Sequence, residues 1–291
     1  MSKIRFIKTS DELLKVTEML KDFYWQRPDG YKLLDRKQSD YDQYVNTISQ
    51  WTIPRGKVLD LGCGTYRTVL SIHQKGFEAT GCDLFSDEKL KEYRKQIGEN
   101  GPKLVSYDGF RLPFEDESFD TIATLCVLEH VSFVDSLLKE IDRVLRPQGR
   151  IIIIGPNLSG PHRAVLGMVH LLKGGNRFWQ FSTIFECIRA LVGFLLLTAE
   201  ISLSKTPVFI LIYPLLENDR IKFEQPDDDA IHLNAPLSYK KWFQTKGFHL
   251  DEYNNHVGDS ALTGIFNKIF PDFATKIQIV AQKIQTGKND R

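Results

Sequence analysis

The sequence predicts an α/β fold, an open parallel sheet with helices on both faces. Three observations carry this. Between residues 57 and 155, short apolar runs alternate with segments of helical period, the pattern of a parallel sheet covered on both sides. Ile151-Ile152-Ile153-Ile154 is a continuous β-branched run, as expected for a strand buried on both faces. Three successive runs end in an acid: Val58-Leu59-Asp60, Phe77 to Asp83, and Lys103 to Asp108. Strand carboxyl ends line up along one edge of such a sheet, where ligands bind.

The elements follow in order. Thr9-Ser10-Asp11-Glu12 has the form of a capping box, and Leu13, Val16, Leu20 and Phe23 then recur at helical spacing. A second helix is expected from Arg36 to Trp51, with Tyr41, Tyr44, Val45 and Ile48 on one side. Strands are expected near 57–61, 77–82, 103–107, 119–125 and 150–154, and helices near 66–75, 87–97 and 133–145. Gly155-Pro156 ends the fifth strand. His162 to Leu172 then suits an amphipathic helix stopped by Gly174-Gly175. Two ten-residue apolar blocks follow, Ala190–Ala199 and Pro207–Leu216. Glu224-Gln225-Pro226-Asp227-Asp228-Asp229 reads as a solvated acidic loop. A helix over Leu237–Phe243, strands at Phe248–Tyr253 and Lys276–Ile284, and a helix around Leu262–Phe270 complete the chain.

The turn after the first strand, Gly62-Cys63-Gly64, narrows the ligand. A dinucleotide fingerprint wants a third glycine where Arg67 stands, and a phosphate loop wants a Lys-Ser/Thr pair, which is absent. The Asp60 carboxylate repels a pyrophosphate but suits an ammonium through charge-assisted hydrogen bonds. The edge therefore fits a nucleoside carrying a ribose, an amine and a positive charge, which points to S-adenosyl-L-methionine rather than NAD. The competing reading is a plain turn without a ligand.

These residues resemble the class I S-adenosylmethionine-dependent methyltransferases, within them the methyltransferase type 11 and quinone-biosynthesis-like enzymes. The resemblance covers about residues 55–157 and returns more weakly from 230 to 284. Asp60-Leu61-Gly62-Cys63-Gly64-Thr65 resembles the first motif, Asp83 the ribose-binding acid, and Asp108-Gly109 the pair at the adenine amine. Leu84 and Cys126 complete the candidate cofactor-binding set of Asp60, Gly62, Cys63, Gly64, Asp83, Asp108 and Gly109. Leu112–Asp120, Leu128-Glu129-His130-Val131 and Arg143–Gly149 extend the likeness. Tyr66 departs from it, because the family usually has glycine there. The resemblance implies a Rossmann-like seven-stranded sheet with an antiparallel last strand. The expected parts are an N-terminal helical cap (1–54), the S-adenosylmethionine-binding core (55–157), a hydrophobic helical insertion or lid (158–229) and the C-terminal part of the sheet (230–291).

Composition bounds the partners. A chain of 291 residues can bury a large core. A net charge of +1 implies no nucleic-acid field. Cys63, Cys82, Cys126 and Cys187 show no metal or paired spacing, which suits a reducing, cytoplasmic setting. No signal peptide, repeat or low-complexity tract is visible. Each apolar block is too short for a bilayer, which takes about 20 residues. Residues 158–205 hold five basic residues (Arg163, Lys173, Arg177, Arg189, Lys205) against Glu186 and Glu200. Two readings stay open for 158–216: a segment lying on a membrane surface, making the protein membrane-associated, or an insertion packed over the sheet or the substrate pocket.

A sulfonium methyl is already electrophilic, so holding an acceptor in line supplies roughly 7–11 kcal/mol. A base toward a hydroxyl adds about 10²–10⁴-fold. The catalytic candidates are His130, after the fourth strand, and His232, in Ala230-Ile231-His232-Leu233. A loose resemblance to quinone-pathway O-methyltransferases favours His232. That subgroup has a further acid where Cys126 stands, and one acid with one histidine is a poor hard-cation site, so no metal is expected. The expected activity is O-methylation of a hydrophobic or lipid-linked acceptor. The alternatives are a soluble small-molecule or glycan acceptor, or a non-catalytic module in which the Tyr66 ring fills the methionine site. The oligomeric state does not follow from these residues.

Overall fold

The computed structural model describes residues 4–26, 38–215, 227–254, 265 and 267–284. Glu224, Gln225 and Pro226 lie outside these residues, as do 262–264 and 266 of the helix expected around Leu262–Phe270. The sheet has seven strands: β1 (Lys57–Leu61), β2 (Glu78–Asp83), β3 (Lys103–Ser106), β4 (Phe119–Leu125), β5 (Leu145–Pro156), β6 (His249–Tyr253) and β7 (Lys276–Gln282), ordered β3-β2-β1-β4-β5-β7-β6. β1 to β5 are parallel, and β7 runs antiparallel between β5 and β6. The order reverses between β1 and β4, which opens a crevice at their carboxyl ends.

Pleat alternation sorts the core into two layers. Leu59, Leu61, Ile122, Ile151, Ile153, Ile277 and Ile279 face one side. There they meet α5 (Val134–Val144) and α8 (Pro236–Thr245) through Leu137, Leu138, Ile141, Trp242 and Phe243. The i, i+3, i+4, i+7 spacing of Val134, Leu137, Leu138 and Ile141 makes the buried stripe of α5. Val58, Ala123, Ile152 and Val280 face the other side. They meet α2 (Gln38–Trp51), α3 (Arg67–Gln74) and α4 (Asp87–Ile97) through Tyr44, Ile48, Val69, Ile72 and Leu90. Asp60 shares the pleat of Val58, so its side chain turns toward α2 and α3.

Helix α1 (Ser10–Gln26) starts at the expected capping box: Thr9 Oγ1 accepts from the Glu12 amide, and Glu12 accepts from the Thr9 amide. After β5 the chain enters the insertion at the ligand edge. Helix α6 (Pro161–Leu172) packs along α7 (Ile184–Leu203), a 20-residue helix that absorbs the apolar block Ala190–Ala199. The second block, described as far as residue 215, is non-helical. Its Ile212 amide donates to Ile231, and the Leu233 amide donates to Ile210. Phe6 bridges Ile212 from the other side. Leu158, Trp179, Phe181, Cys187, Phe194 and Leu233 give the insertion a core of its own.

Candidate functional site

The glycine turn sits where β1 meets α3. Gly62, Gly64 and Tyr66 all have positive φ. A Cβ on Gly62 would lie 2.2 Å from Val127 Cγ2, so this glycine is required by protein packing rather than by ligand approach. A Cβ on Gly64 would meet nothing within 4 Å. The space for a ligand therefore opens over Gly64. The Cys63 thiol turns away: it would lie 2.7 Å from a Cβ on Gly81, so it packs on β2. The Tyr66 ring also turns away, stacking edge-on against Tyr93 at 4.8 Å while its hydroxyl donates to Gln96.

The strand-end acids are held by neutral donors. Asp83 accepts from the Gly64 and Leu84 amides, both at 2.7 Å. Asp60 accepts from the Tyr44 hydroxyl at 2.8 Å and from the Thr68 hydroxyl. Asp108 accepts from the Phe110 and Arg111 amides at 2.8 and 2.9 Å, an Asx-type turn around Gly109. Gly109 has φ 87°, and a Cβ there would lie 3.5 Å from the Leu84 side chain. Among the described residues no ion pair reaches Asp60 or Asp83. Burial pushes the Asp60 pKa up to about 6 against the pull of Thr68 and Tyr44, and the Asp83 charge adds to it. Burial raises Asp83 as well. The Arg111 amide holds Asp108 below the ordinary carboxylate range. A buried carboxylate, Asp60, and a part-buried one, Asp83, with no cation among the described residues paired to either, fit a cationic, hydroxyl-bearing ligand beside an open glycine turn. S-adenosyl-L-methionine meets that description, with Asp83 suited to ribose hydroxyls and Asp60 to the side of the amine.

A second cluster lies at the ends of β4 and β5. Cys126 (φ 54°) closes β4, its amide donating to Ile154. The turn Leu128–His130 follows. Its Glu129 is buried, with Oε2 3.5 Å from the Cβ position of Gly155. The amides of Ile231 and His232 both donate to the Glu129 carbonyl, which draws the 227–234 segment onto this turn. His130 Nδ1 lies 3.3 Å from Asp229, and Nε2 lies 3.8 Å from Glu129. Burial opposes protonation of His130, but the carboxylates of Asp229, Glu129 and Asp227 outweigh it and raise its pKa. His232 is different. It is buried between the rings of Phe209 and Tyr239, at 5.5 and 6.4 Å, and neither ring nitrogen finds a full hydrogen bond. Burial lowers its pKa to about 4. Tyr239 donates to Asn234, whose amide reaches the Pro156 carbonyl.

The acidic run is not the solvated loop expected for it. Asp228 and Asp229 are 2% and 3% exposed. Asp227 pairs with Arg163 of α6, Asp228 with Arg177 at 2.8 Å, and Asp229 with His130. Three adjacent carboxylates thus tie the insertion to the turn after β4. Single-sequence reading missed Tyr44, Thr68, Glu129, Asp229 and Asn234 as site residues. Only Glu129 carried a signal, inside Leu128-Glu129-His130. Among the described residues no group of three or more His, Cys, Asp or Glu side chains is placed to hold a metal ion.

Residues 59–153 match the methyltransferase domain family. That match and the seven-stranded sheet support a class I S-adenosylmethionine-dependent methyltransferase. The matched stretch runs from β1 to β5 and contains the glycine turn, all three strand-end acids and His130. A putative methyltransferase of Bacillus subtilis is 32% identical over 117 residues, 38% of this chain and 47% of that protein. The demethylmenaquinone methyltransferase of Streptomyces avermitilis is 35% identical over 34% of this chain and 42% of its own length. The sterol 4-C-methyltransferase of Caenorhabditis elegans is 32% identical over 33% and 29%. The chain thus spans less than half the length of each of these relatives. Among solved structures, the 1,6-didemethyltoxoflavin-N1-methyltransferase of Burkholderia thailandensis aligns with a TM-score of 0.55 at 12% identity, over 97% of this chain and 95% of that one. At that identity the likeness concerns the fold alone. The seven-stranded, Rossmann-like sheet read from the sequence is the one observed, and the insertion leaves it after β5, at the carboxyl edge of the parallel strands.

Proposed function

We propose that this protein transfers a methyl group from S-adenosyl-L-methionine to a hydroxyl of a hydrophobic or lipid-linked acceptor. The observation that carries the reading is the paired arrangement at one sheet edge. Uncompensated carboxylates beside the open Gly64 turn suit a cationic donor, and a carboxylate-paired histidine under the apolar insertion suits an acceptor hydroxyl. When bound, the donor supplies an electrophilic methyl. Asp83 accepts from hydroxyls, and Gly64 leaves room for backbone approach. Asp60 supplies negative charge while Tyr44 and Thr68 hold it in place. The insertion excludes water from the acceptor side.

The base is better assigned to His130 than to His232. His130 is 22% exposed along its side chain and is paired with Asp229, so it is reachable and basic enough to take a proton near neutral pH. His232 is enclosed by rings, and its low pKa makes it a weak acceptor of protons. Asp229 orients the His130 ring and stabilises the imidazolium that forms. Relatives named for quinone and sterol methylation support a hydrophobic acceptor, although the sterol enzyme's name specifies carbon as the methylated atom. Nothing about the Tyr66 ring supports the non-catalytic alternative, since it stacks on Tyr93.

The test is single-turnover methyl transfer from radiolabelled donor to extracted polar lipids and quinols, with the product's methyl assigned by NMR. The expected result is a methyl ether and a loss of at least about 100-fold in His130→Ala, with no more than a few-fold loss in His232→Ala. A C-methyl product would remove the O-methyl reading. The reverse order of the two variants would return the base to His232.

A further inference from the structure

Helix α7 is apolar nearly all round, with only Glu186, Arg189 and Glu200 charged in 20 residues. Such a helix is normally buried on every side. Here only one side is. Cys187, Ala190 and Phe194 face the insertion core, and Ile201 packs on Ala235 and Leu237. On the opposite arc Phe185, Ile188, Val192, Leu195, Leu196 and Leu203 are exposed, Phe185 at 66% and Leu203 at 85%. Four further apolar side chains between Val165 and Leu172 are exposed on α6, which packs along α7. These residues expose on the order of 1,000 Å² of apolar surface, where the largest patch of a monomer is about 300–600 Å².

We propose that this face docks flat on the surface of an anionic lipid bilayer. Composition is the first reason. A protein interface of this size carries several hydrogen bonds and is enriched in Tyr, Trp and Arg. The α7 arc is aliphatic apart from Phe185 and offers no side-chain hydrogen-bond group, which suits hydrocarbon, where none is needed. Charge is the second. Arg163 and Arg177 are turned inward onto Asp227 and Asp228. The cations left outward rim the patch: the Arg189 guanidinium lies 6.0 Å over the Phe185 ring, Lys173 follows Leu172, and Lys205 lies just beyond Leu203. Against them stands the exposed Glu200. Cations so placed are each worth about 1 kcal/mol at an anionic surface. Packing is the third. The inner face of α7 is committed to the protein, and among the described residues no helix is long and apolar enough to cross a membrane. The helix therefore lies on the bilayer, its apolar face entering the headgroup boundary.

Docking needs no turnover, so it stands or falls apart from the acceptor assignment. The test is flotation of the full chain with phosphatidylcholine vesicles, with and without phosphatidylglycerol, beside sedimentation velocity without vesicles. The intact chain should float with the anionic vesicles and sediment as a monomer without them. Phe185→Ser/Leu196→Ser, both outward-facing, should lower the bound fraction at least tenfold with an unchanged thermal melt. Lys173→Glu/Arg189→Glu/Lys205→Glu should remove the preference for anionic vesicles. A chain that stays at the bottom with both vesicle types would overturn the proposal. So would flotation of the serine variant at the intact level. A dimer that the serine variant dissociates, with no flotation, would assign the face to a second copy instead.

Discussion

Two sets of three acids sit in this molecule, and their partners differ. Asp60, Asp83 and Asp108 end strands and accept from hydroxyls and backbone amides within the first half of the chain. Asp227, Asp228 and Asp229 are adjacent in sequence and face Arg163, Arg177 and His130. Neutral donors fix a carboxylate without cancelling its charge, so the strand-end set keeps a field for a cationic ligand. Cations cancel it, so the adjacent set becomes a clamp between insertion and core. What separates the two sets is the charge of the partner, neutral for the strand-end acids and cationic for the adjacent ones.

The largest expected effect breaks the clamp. Asp228→Ala takes the carboxylate from the part-buried Arg177, leaving it the Trp179 carbonyl, and should cost about 3 kcal/mol, read as a fall of several degrees in thermal midpoint. Affinity for S-adenosylhomocysteine should hold within a few-fold. A variant that keeps its midpoint but loses the ligand would erase the distinction between the two sets.

Asp229 offers a sharper cut, because it touches the proposed base. Asp229→Asn removes a charge that raises the His130 pKa. The acid limb of the single-turnover rate should therefore move to lower pH, with a plateau lowered about tenfold, near 1.4 kcal/mol. An unshifted limb would mean that another group sets it. In the strand-end set, Asp83→Ala should weaken S-adenosylhomocysteine binding at least tenfold in calorimetry, since hydrogen bonds to charged groups contribute about 1.5–3 kcal/mol. Its midpoint should stay near native, unlike that of Asp228→Ala.

The smallest effect concerns Asp60. Its folded pKa of about 6 lies above the ordinary value of 3.8. Its stabilising contribution is thus complete below the unfolded pKa and is lost as pH rises through about 6. A cationic ligand favours the ionised form, so affinity should rise from pH 5 to 7, with proton release seen as a buffer-dependent binding enthalpy. A flat profile would leave Asp60 only the task of holding Tyr44 and Thr68.

The sheet was legible because its signals are local. β-branched runs such as Ile151–Ile154, the acid at the end of β2 and the capping box at Thr9 each lie within a few residues. The pairing of Asp229 with His130 spans 99 positions, and no periodicity reaches that far. Helix α7 shows the same limit. Its apolar block was plain, but that one arc would pack on Leu158, Trp179 and Phe181 while the other stayed open depended on how the insertion closes on itself.

By itself, then, the sequence determined the order of strands and helices, the ligand edge and the kind of ligand, because strand patterning and strand-end residues are properties of short segments. Only the tertiary structure decided which acids keep their charge, why Gly62 is needed and which histidine is reachable. Each of those depends on what the folded chain brings within a few ångströms: an arginine, the Val127 side chain, or an aromatic wall around His232.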